Sequence, residues 1–199
     1  MIQLAIAGAA GRMGQSLISG CEAHESFALA HAFEQPGHES VGQSAGSGQS
    51  PVTLSDGIDG PSFDVLIDFT SPVASLANLA FCAEQGQKAV IGTTGFSDSD
   101  RELMAELAEK TAVVWAPNMS VGVNITLRLL ELAARAFGDE VDVEIIEAHH
   151  RHKVDAPSGT ALKMGEVVAK TLGRTLDEHG VFARQGHTGP RSDKEIGFS

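Results

Sequence analysis

The sequence is poor in cysteine, has no long apolar run and is short of basic residues. Its two cysteines, Cys21 and Cys82, stand in helix-like segments with apolar neighbours. This setting favours small buried thiols over a disulfide framework. A chain of 199 residues can bury a core without disulfides or metal. We therefore expect a protein of the reducing cytoplasm.

The missing apolar and basic features exclude further classes. No apolar run reaches the length of a membrane span, and the N-terminus lacks the basic region of a signal peptide. The net charge of −12 repels nucleic acid and acidic membranes. We expect a small-molecule partner rather than either of these. An anionic ligand would need local help from helix N-termini or a few cations.

Apolar runs of strand length alternate with helix-period segments from the first residue. This alternation predicts an α/β fold, a parallel sheet covered by helices. The predicted strands are 2–7, 27–33, 65–69, 89–93, 113–116 and 141–148. Ser71 before Pro72 predicts a helix start, and Ser99 with Glu102 predicts a capping box.

Two segments bear on domain organisation. Residues 38–60 are rich in Gly, Ser, Gln and Pro. They are predicted to form a long surface loop, with an interdomain linker as the alternative. A loop near residues 118–121 leads into a predicted helix over 123–137. We therefore predict a Rossmann-like domain over residues 1–120 and a smaller α+β domain over residues 121–199.

The segment from Leu4 to Gly14 has the pattern of a buried strand, a glycine turn and a helix. Gly8, Gly11 and Gly14 are spaced three apart. Glycine permits a tight turn and a close approach to a pyrophosphate, and the helix that follows presents free N–H groups to that group. Because Ala10 stands where a further glycine is common, the motif alone is weak evidence.

An acidic residue strengthens this interpretation. The second predicted strand ends at Glu34, twenty positions beyond Gly14. In dinucleotide-binding folds a carboxylate here accepts hydrogen bonds from the adenosine ribose. The whole pattern predicts dinucleotide binding, and the alternative is a structural turn with an unrelated surface glutamate. Segments 92–95 and 116–119 also follow predicted strands, but taken alone each is better interpreted as an ordinary turn.

The densest chemistry lies in residues 144–161, EIIEAHHRHKVDAPSGTA. This run places histidines and cations in one loop between a strand and a helix start at Ser158. Amides at that helix N-terminus can hold a carboxylate. A histidine can deliver a proton at neutral pH, and Lys153 adds a positive charge.

Two other interpretations of this run were weighed. His149 and His152 as metal ligands are disfavoured, because no cysteine lies nearby and their spacing matches no common zinc arrangement. We expect no metal. A solvated basic patch is an open alternative on the residues alone.

The run resembles the signature of the dihydrodipicolinate reductases, enzymes of lysine and diaminopimelate biosynthesis that reduce a cyclic dicarboxylate with NADH or NADPH. Further segments resemble that family in its order along the whole chain: residues 8–14, 68–70, 92–96, 120–124, 186–189 and 196–198. The resemblance implies NAD(P)H-dependent reduction of dihydrodipicolinate (4-hydroxy-tetrahydrodipicolinate) to tetrahydrodipicolinate. It also implies a homotetramer.

The resemblance also implies roles for individual residues. His149 matches the proton donor and Lys153 the second catalytic group. The positions that match cofactor contacts are Gly8, Ala9, Ala10, Gly11, Arg12, Met13, Glu34, Gly92, Thr93, Thr94, Ala116, Pro117, Asn118 and Met119. Those that match substrate contacts are His150, Gly159 and Thr160.

The sequence departs from the family in two places. Gln35 and Pro36 follow Glu34 where a basic residue is common, so we expect a modest preference for NADH over NADPH. Family members also continue beyond the segment that matches residues 196–198, so we expect the second domain to be incomplete. A dinucleotide-sensing module and another dehydrogenase of similar layout are the rival interpretations. Sensing needs no proton donor, and the other dehydrogenases lack the 149–160 run.

Overall fold

The computed structural model describes residues 1–46, 52–151 and 153–199. These residues form two compact units, Met1–Pro117 and Asn118–Ser199. No helix among the described residues is long and apolar enough to cross a membrane.

The first unit is a parallel sheet with helices between its strands. The strands are β1 (Ile2–Ala7), β2 (Phe27–Phe33), β3 (Val65–Asp68), β4 (Lys88–Ile91) and β5 (Val113–Trp115), and the helices are α1 (Arg12–Glu22), α2 (Pro72–Gln85) and α3 (Asp98–Ala108). The strand order is β2-β1-β3-β4-β5, with every neighbouring pair parallel. The direction of winding reverses beside β1, and ligands bind in α/β sheets where this happens.

The central strand β1 is buried on both faces from Leu4 to Ala7, which explains the apolar sequence of this stretch. Ala5 packs in a cluster with Leu66 and Leu79. Ile6 packs in a second cluster with Ile18 of α1. The side chains of β1 alternate between the two clusters because successive residues of a strand point to opposite faces. The predicted α/β fold is confirmed.

The remaining apolar details of this unit agree with the sequence patterns. Cys21 and Cys82 are free and buried, as predicted. Burial, with the nearby Asp68 charge, raises the pKa of Cys82 to about 12, which keeps the thiol protonated. Ala45 and Leu54, from the predicted loop 38–60, are buried in the cluster around Ile6. The linker interpretation is therefore wrong; residues 47–51 of that loop lie outside the described residues.

The structure agrees with the sequence at one of two predicted helix starts and differs at the other. Pro72 is the first residue of α2 after Ser71, but the Ser71 side chain makes no capping hydrogen bond. The capping box predicted at Ser99 and Glu102 is wrong, because α3 begins earlier. Its N-cap is Ser97, whose side chain accepts from the Asp100 N–H while the Asp100 carboxylate accepts from the Ser97 N–H. Both pairs have the required spacing of three, so spacing alone could not choose between them.

The second unit is a helical layer on a small parallel sheet. Its elements are α4 (Val121–Phe137), β6 (Val143–Ile145), α5 (Gly159–Thr171), α6 (Leu176–His179), β7 (Gly180–Val181) and β8 (Ile196–Phe198), with strand order β6-β8-β7. Its core contains Ile145, Val168 and Ile196. The strand predicted over 141–148 is shorter in the structure, where β6 spans Val143–Ile145, although the Glu147 N–H still donates to the Ser199 carbonyl oxygen at 2.9 Å.

Charged residues cover one side of the small sheet. Arg184 donates to Glu144 at 2.7 Å and, through Nε, to Glu195 at 2.8 Å. Arg191 donates to the same Glu144 oxygen at 2.8 Å. Any Cβ on Gly197 would collide with the Glu144 carboxylate. Glycine in β8 therefore leaves room for this network, which ties the loop between β7 and β8 to β6.

The close contact between α1 and the glycine loop gives a first prediction. A Cβ on Gly14 would lie 2.6 Å from the Ala9 Cα and would also meet the Gly8 carbonyl oxygen. Since backbone atoms cannot move aside cheaply, Gly14→Ala is expected to lower the free energy of unfolding by about 1–3 kcal/mol. Urea unfolding measures this.

Gly20→Ala in the same helix is the matched control. A Cβ there meets nothing within 4 Å, so alanine is expected to stabilise the helix by about 0.5–1 kcal/mol. Equal unfolding midpoints for the two variants would contradict the packing described for Gly14.

Candidate active site

The glycine loop lies at the carboxyl end of β1. Gly8 has a φ of 62°, a left-handed conformation that other residues rarely adopt. A Cβ on Gly8 would also lie 2.9 Å from Cγ2 of Thr70. The Gly11 N–H closes the turn on the Gly8 carbonyl at 3.0 Å, and α1 begins at Arg12. The loop thus presents a helix N-terminus at the sheet edge, the arrangement that binds phosphate.

Glu34 links the end of β2 to this loop. Its Oε1 accepts a hydrogen bond from the Ala10 N–H at 2.9 Å, and its Oε2 accepts from the Gln35 N–H at 3.3 Å. The carboxylate therefore has one structural contact with the glycine loop. Each oxygen retains further acceptor capacity toward the neighbouring groove.

An open groove of about 760 Å³ runs along this edge of the sheet. Several of the predicted cofactor residues line it, namely Gly8, Ala10, Gly11 and Glu34, together with Gln35, Pro36, Phe69 and Thr70. Three other predicted residues of the glycine loop do not line the groove. Ala9 is fully buried, and Arg12 and Met13 are exposed on α1 outside the groove lining.

One wall of the groove is formed by residues 56–59, which the sequence patterns did not predict. Asp56 and Asp59 line the groove and add negative charge to it. The wall is held by His31, which is 2% exposed and whose Nε2 lies 2.9 Å from the Gly57 carbonyl oxygen. The His31 ring also fills the space that a side chain on Gly60 would need. A lone histidine in an apolar strand was the only sequence signal for this contact.

A buried carboxylate organises the adjacent strand ends. Asp68 is fully buried at the end of β3. Its Oδ1 accepts from the Thr70 N–H at 3.0 Å, the Thr70 hydroxyl at 2.6 Å and the Ser75 hydroxyl at 2.9 Å. Its Oδ2 accepts from Asn78 at 2.8 Å. A buried charge is tolerated when its oxygens are satisfied in this way.

The Asp68 network continues to the segment after β4. Thr93 is buried, and its hydroxyl accepts from the Ser75 hydroxyl at 2.7 Å and from the Thr70 N–H at 2.9 Å. The Trp115 indole N–H donates to the Thr93 carbonyl oxygen at 3.1 Å. The Phe69 ring occupies the space beside Gly92. These contacts bring the predicted residues Gly92, Thr93 and Thr94 next to the groove residues Phe69 and Thr70.

The last predicted cofactor segment crosses the boundary of the two units. Ala116 and Pro117 end the first unit, whereas Asn118 and Met119 begin the second. The side-chain oxygen of Asn118 accepts from the Ser120 N–H at 2.8 Å, and the backbone carbonyl oxygen of Asn118 accepts from the Asn124 side chain at 3.0 Å. Asn118 thus has a local role in starting α4.

In the second unit, His149 lies beside a carboxylate. Its Nδ1 is 3.6 Å from Oε2 of Glu147, and the histidine side chain is 36% exposed. Hydrogen bonding to Ser158 lowers the pKa of Glu147, and the charges of His149 and Lys153 lower it further. Glu147 belongs to the 144–161 run, but the sequence patterns predicted no role for it. Its position two residues before His149 on an extended segment was the available signal.

Lys153 is paired within the same loop. Its ammonium forms an ion pair and hydrogen bond with Asp155, and this contact is the main reason that the pKa of Asp155 is lowered. His150 is exposed and also interacts within the chain. His152 lies outside the described residues.

Helix α5 begins next to these side chains. Ser158 is its N-cap, and its hydroxyl accepts from the Ala161 N–H at 3.1 Å, while the Ala156–Pro157 bond before it is cis. Among the described residues, the Gly159 and Thr160 N–H groups have no acceptor. These two amides can therefore receive a carboxylate. In the described part of the chain, no three metal-ligating side chains are grouped to hold a metal ion.

The sheet order, the glycine loop and the acidic residue at the end of β2 define an α/β protein of the Rossmann-like class. Comparison with known proteins places it more narrowly. Residues 2–119 match the family model for the dihydrodipicolinate reductase N-terminus, and residues 122–199 match that for the C-terminus. The chain belongs to the dihydrodipicolinate reductase family.

Individual relatives agree with this assignment. A 4-hydroxy-tetrahydrodipicolinate reductase of Chromohalobacter salexigens is 55% identical over 206 aligned positions, which cover 100% of this chain and 77% of the relative. A dipicolinate-bound dihydrodipicolinate reductase from Paenisporosarcina sp. TG-14 has a TM-score of 0.74 at 28% identity and the same two coverages. Aspartate semialdehyde dehydrogenase II of Vibrio cholerae has a TM-score of 0.50 at 17% identity. The match covers 87% of this chain and 64% of the dehydrogenase, and it shows a shared fold alone.

The Asp68 network gives a second prediction. In Asp68→Asn, an amide N–H₂ replaces an oxygen that now accepts from a neighbouring side chain, so a buried donor loses its partner. We expect the free energy of unfolding to fall by about 1–3 kcal/mol. The emission of Trp115, the sole tryptophan of the sequence, should also change because its indole is bonded to Thr93.

Asp64→Asn is the matched control, because Asp64 is exposed and its contact with the Gln3 N–H at 2.8 Å needs only an acceptor. Urea unfolding followed by Trp115 fluorescence compares the two variants. An Asp68→Asn midpoint equal to that of the control would refute the role given to this carboxylate.

Proposed function

We propose that the protein catalyses the NAD(P)H-dependent reduction of 4-hydroxy-tetrahydrodipicolinate to tetrahydrodipicolinate, in lysine and diaminopimelate biosynthesis. The observation that carries this proposal is that Glu147 contacts both His149 and the start of α5, where the Gly159 and Thr160 amides have no acceptor among the described residues, in a chain of this reductase family. The name of the Chromohalobacter relative and the dipicolinate bound in the Paenisporosarcina enzyme support the choice of substrate.

We assign the cofactor to the first unit and the substrate to the second. Gly8 to Met13 would hold the pyrophosphate, since the turn at Gly8 and the contact at Gly14 leave no space for side chains. Glu34 would accept hydrogen bonds from the adenosine ribose. The groove between these groups fits a dinucleotide. The segments 92–94 and 116–119 would complete the site.

When bound, the reduced nicotinamide supplies the hydride for the reduction, and the 4-hydroxyl group of the substrate leaves as water. His149 supplies the proton. Because its Nδ1 faces Glu147, the proton leaves from Nε2. The imidazole suits this step because its usual pKa lies near neutral pH.

The substrate has two carboxylates, and the loop offers complementary groups. The Gly159 and Thr160 amides would bind one carboxylate, with the Thr160 hydroxyl and His150 as further contacts. Lys153 would stabilise the negative charge that develops during reduction. Its ion pair with Asp155 keeps the ammonium at this loop before the substrate arrives.

The proton donor gives a third prediction. His149→Gln is expected to lower kcat by a factor on the order of 10²–10⁴, because the general acid is lost. The dissociation constant for NADH should stay unchanged, since the glycine loop lies in the other unit. Steady-state kinetics and fluorescence titration with NADH measure the two quantities.

His179→Gln, at a half-buried histidine of the same unit, is the control for this experiment. Turnover near that of the wild type in His149→Gln would overturn the assignment. NADH binding without any turnover in the wild type would instead favour the dinucleotide-sensing interpretation.

We infer that NADH is preferred over NADPH. Glu34, Asp56 and Asp59 line the groove and would repel the 2′-phosphate of NADPH. Gln35 and Pro36 add no compensating charge. Arg12 is the nearby cation that could bind the phosphate. Because Arg12 lies at the start of α1, it could offset part of the repulsion of the 2′-phosphate. We therefore expect only a modest preference for NADH.

The fourth prediction quantifies this preference. The ratio of kcat/KM for NADH to that for NADPH is expected to be roughly 5 to 30, or about 1–2 kcal/mol. Gln35→Arg should reduce the ratio because a guanidinium can bind the 2′-phosphate. Gln85→Arg, at the end of α2 and outside the groove, is the control of equal charge.

Both cofactors must be compared at one ionic strength, since salt screens these charges. A wild-type preference for NADPH would mean that Arg12, rather than the acidic residues, decides the selectivity. The homotetramer and the cytoplasmic location stay predictions of the sequence.

A further inference from the structure

The Glu147 carboxylate has two different neighbours, one on each oxygen. Its Oε1 accepts a hydrogen bond from the Ser158 N–H at 2.7 Å. Its Oε2 lies 3.6 Å from Nδ1 of His149. The first contact holds the side chain in place, and as a result the second oxygen faces the imidazole.

The distance to His149 is that of an ion pair, longer than an N–H···O hydrogen bond. A carboxylate at this position favours an imidazole with a proton on Nδ1, which leaves Nε2 for the substrate. Glu147 is suited to this role because its own lowered pKa keeps it ionised at neutral pH.

We propose that Glu147 is a positioning residue that orients His149 and couples it to the N-terminus of α5. This inference rests on the proposed role of His149 as the proton donor. Both oxygens of the carboxylate face groups of the protein, so we expect it to act through the histidine. It joins the proton donor to the helix start that receives the substrate carboxylate.

The surrounding charges make this arrangement compatible with an anionic substrate. Glu147 uses the Ser158 N–H and leaves the Gly159 and Thr160 amides available. Lys153 and the positive end of the α5 dipole offset its charge. Asp155 is a second carboxylate near His149, whose charge lowers the pKa of Asp155. The ion pair with Lys153 offsets the negative charge of Asp155.

The test is Glu147→Gln. Glutamine keeps the length of the side chain and an oxygen that can accept from Ser158, but it removes the charge that faces His149. We expect kcat to fall roughly 10-fold, less than the 10²–10⁴ expected for loss of the acid itself. The dissociation constant for NADH and the KM for the dicarboxylate should change by less than about twofold, within about 0.4 kcal/mol.

Glu166→Gln is the matched control, since Glu166 is an exposed residue of α5 that pairs with Lys163 at 2.9 Å. It should leave kcat unchanged. Glu147→Asp keeps the charge, so its kcat should exceed that of Glu147→Gln. Thermal unfolding of each variant verifies that the compared proteins are folded.

A double-mutant cycle with His149→Gln separates positioning from a structural role. If Glu147 acts through His149, Glu147→Gln lowers kcat in the wild-type background and has little further effect when His149 is absent. The same fold-loss in both backgrounds would overturn the proposal. So would a wild-type kcat in Glu147→Gln, or equal kcat values for the Asp and Gln variants.

Failure of this proposal is distinguishable from failure of the proposed function. If His149→Gln loses turnover while Glu147→Gln does not, only the positioning role is wrong. If His149→Gln retains turnover, the proposed proton donor is wrong and the inference about Glu147 falls with it.

Discussion

A buried carboxylate held by hydrogen bonds to neutral groups sets the geometry of the sheet edge. Asp68 is shielded from water, so each of its oxygens must find donors within the protein. Those donors come from the turn after β3 and from α2. The same hydroxyl network reaches Thr93 after β4. One desolvated group therefore constrains the segments that adjoin the groove.

The glycine loop meets the same edge under a steric constraint. Gly8 adopts a left-handed conformation beside Thr70, and Gly14 lets α1 approach the loop backbone. Glu34 then binds the loop through the Ala10 N–H. The three contacts come from different strands and helices, yet all of them shape one groove. A Rossmann-like unit is suited to dinucleotide binding because these demands are met at the carboxyl ends of parallel strands.

The second unit solves a related problem with fewer elements. Among the described residues, the start of α5 leaves the Gly159 and Thr160 N–H groups without acceptors, and the loop before it supplies titratable side chains. Glu147 satisfies one of these donors and faces His149 with its other oxygen. Lys153 and Asp155 form an adjacent pair of opposite charge. The loop thus places a histidine and an ion pair close to a helix N-terminus that is suited to anion binding.

The sequence alone determined the class of fold and the family to which the chain belongs. Short apolar runs between helix-period segments predicted the strands of the sheet. A strand that is buried on both faces needs consecutive apolar residues, as in Leu4 to Ala7 of β1. The glycine spacing and Glu34 were local patterns, and the 144–161 run carried the family resemblance. Only the tertiary structure decided which residues meet. Asp68, the His31 contact with Gly57 and the Glu147 bridge join segments that are distant in sequence or depend on side-chain direction. The choice of Ser97 over Ser99 was likewise made by the actual start of α3. Spacing records which residues repeat along the chain, whereas burial and hydrogen-bond satisfaction depend on what the folded chain brings beside them.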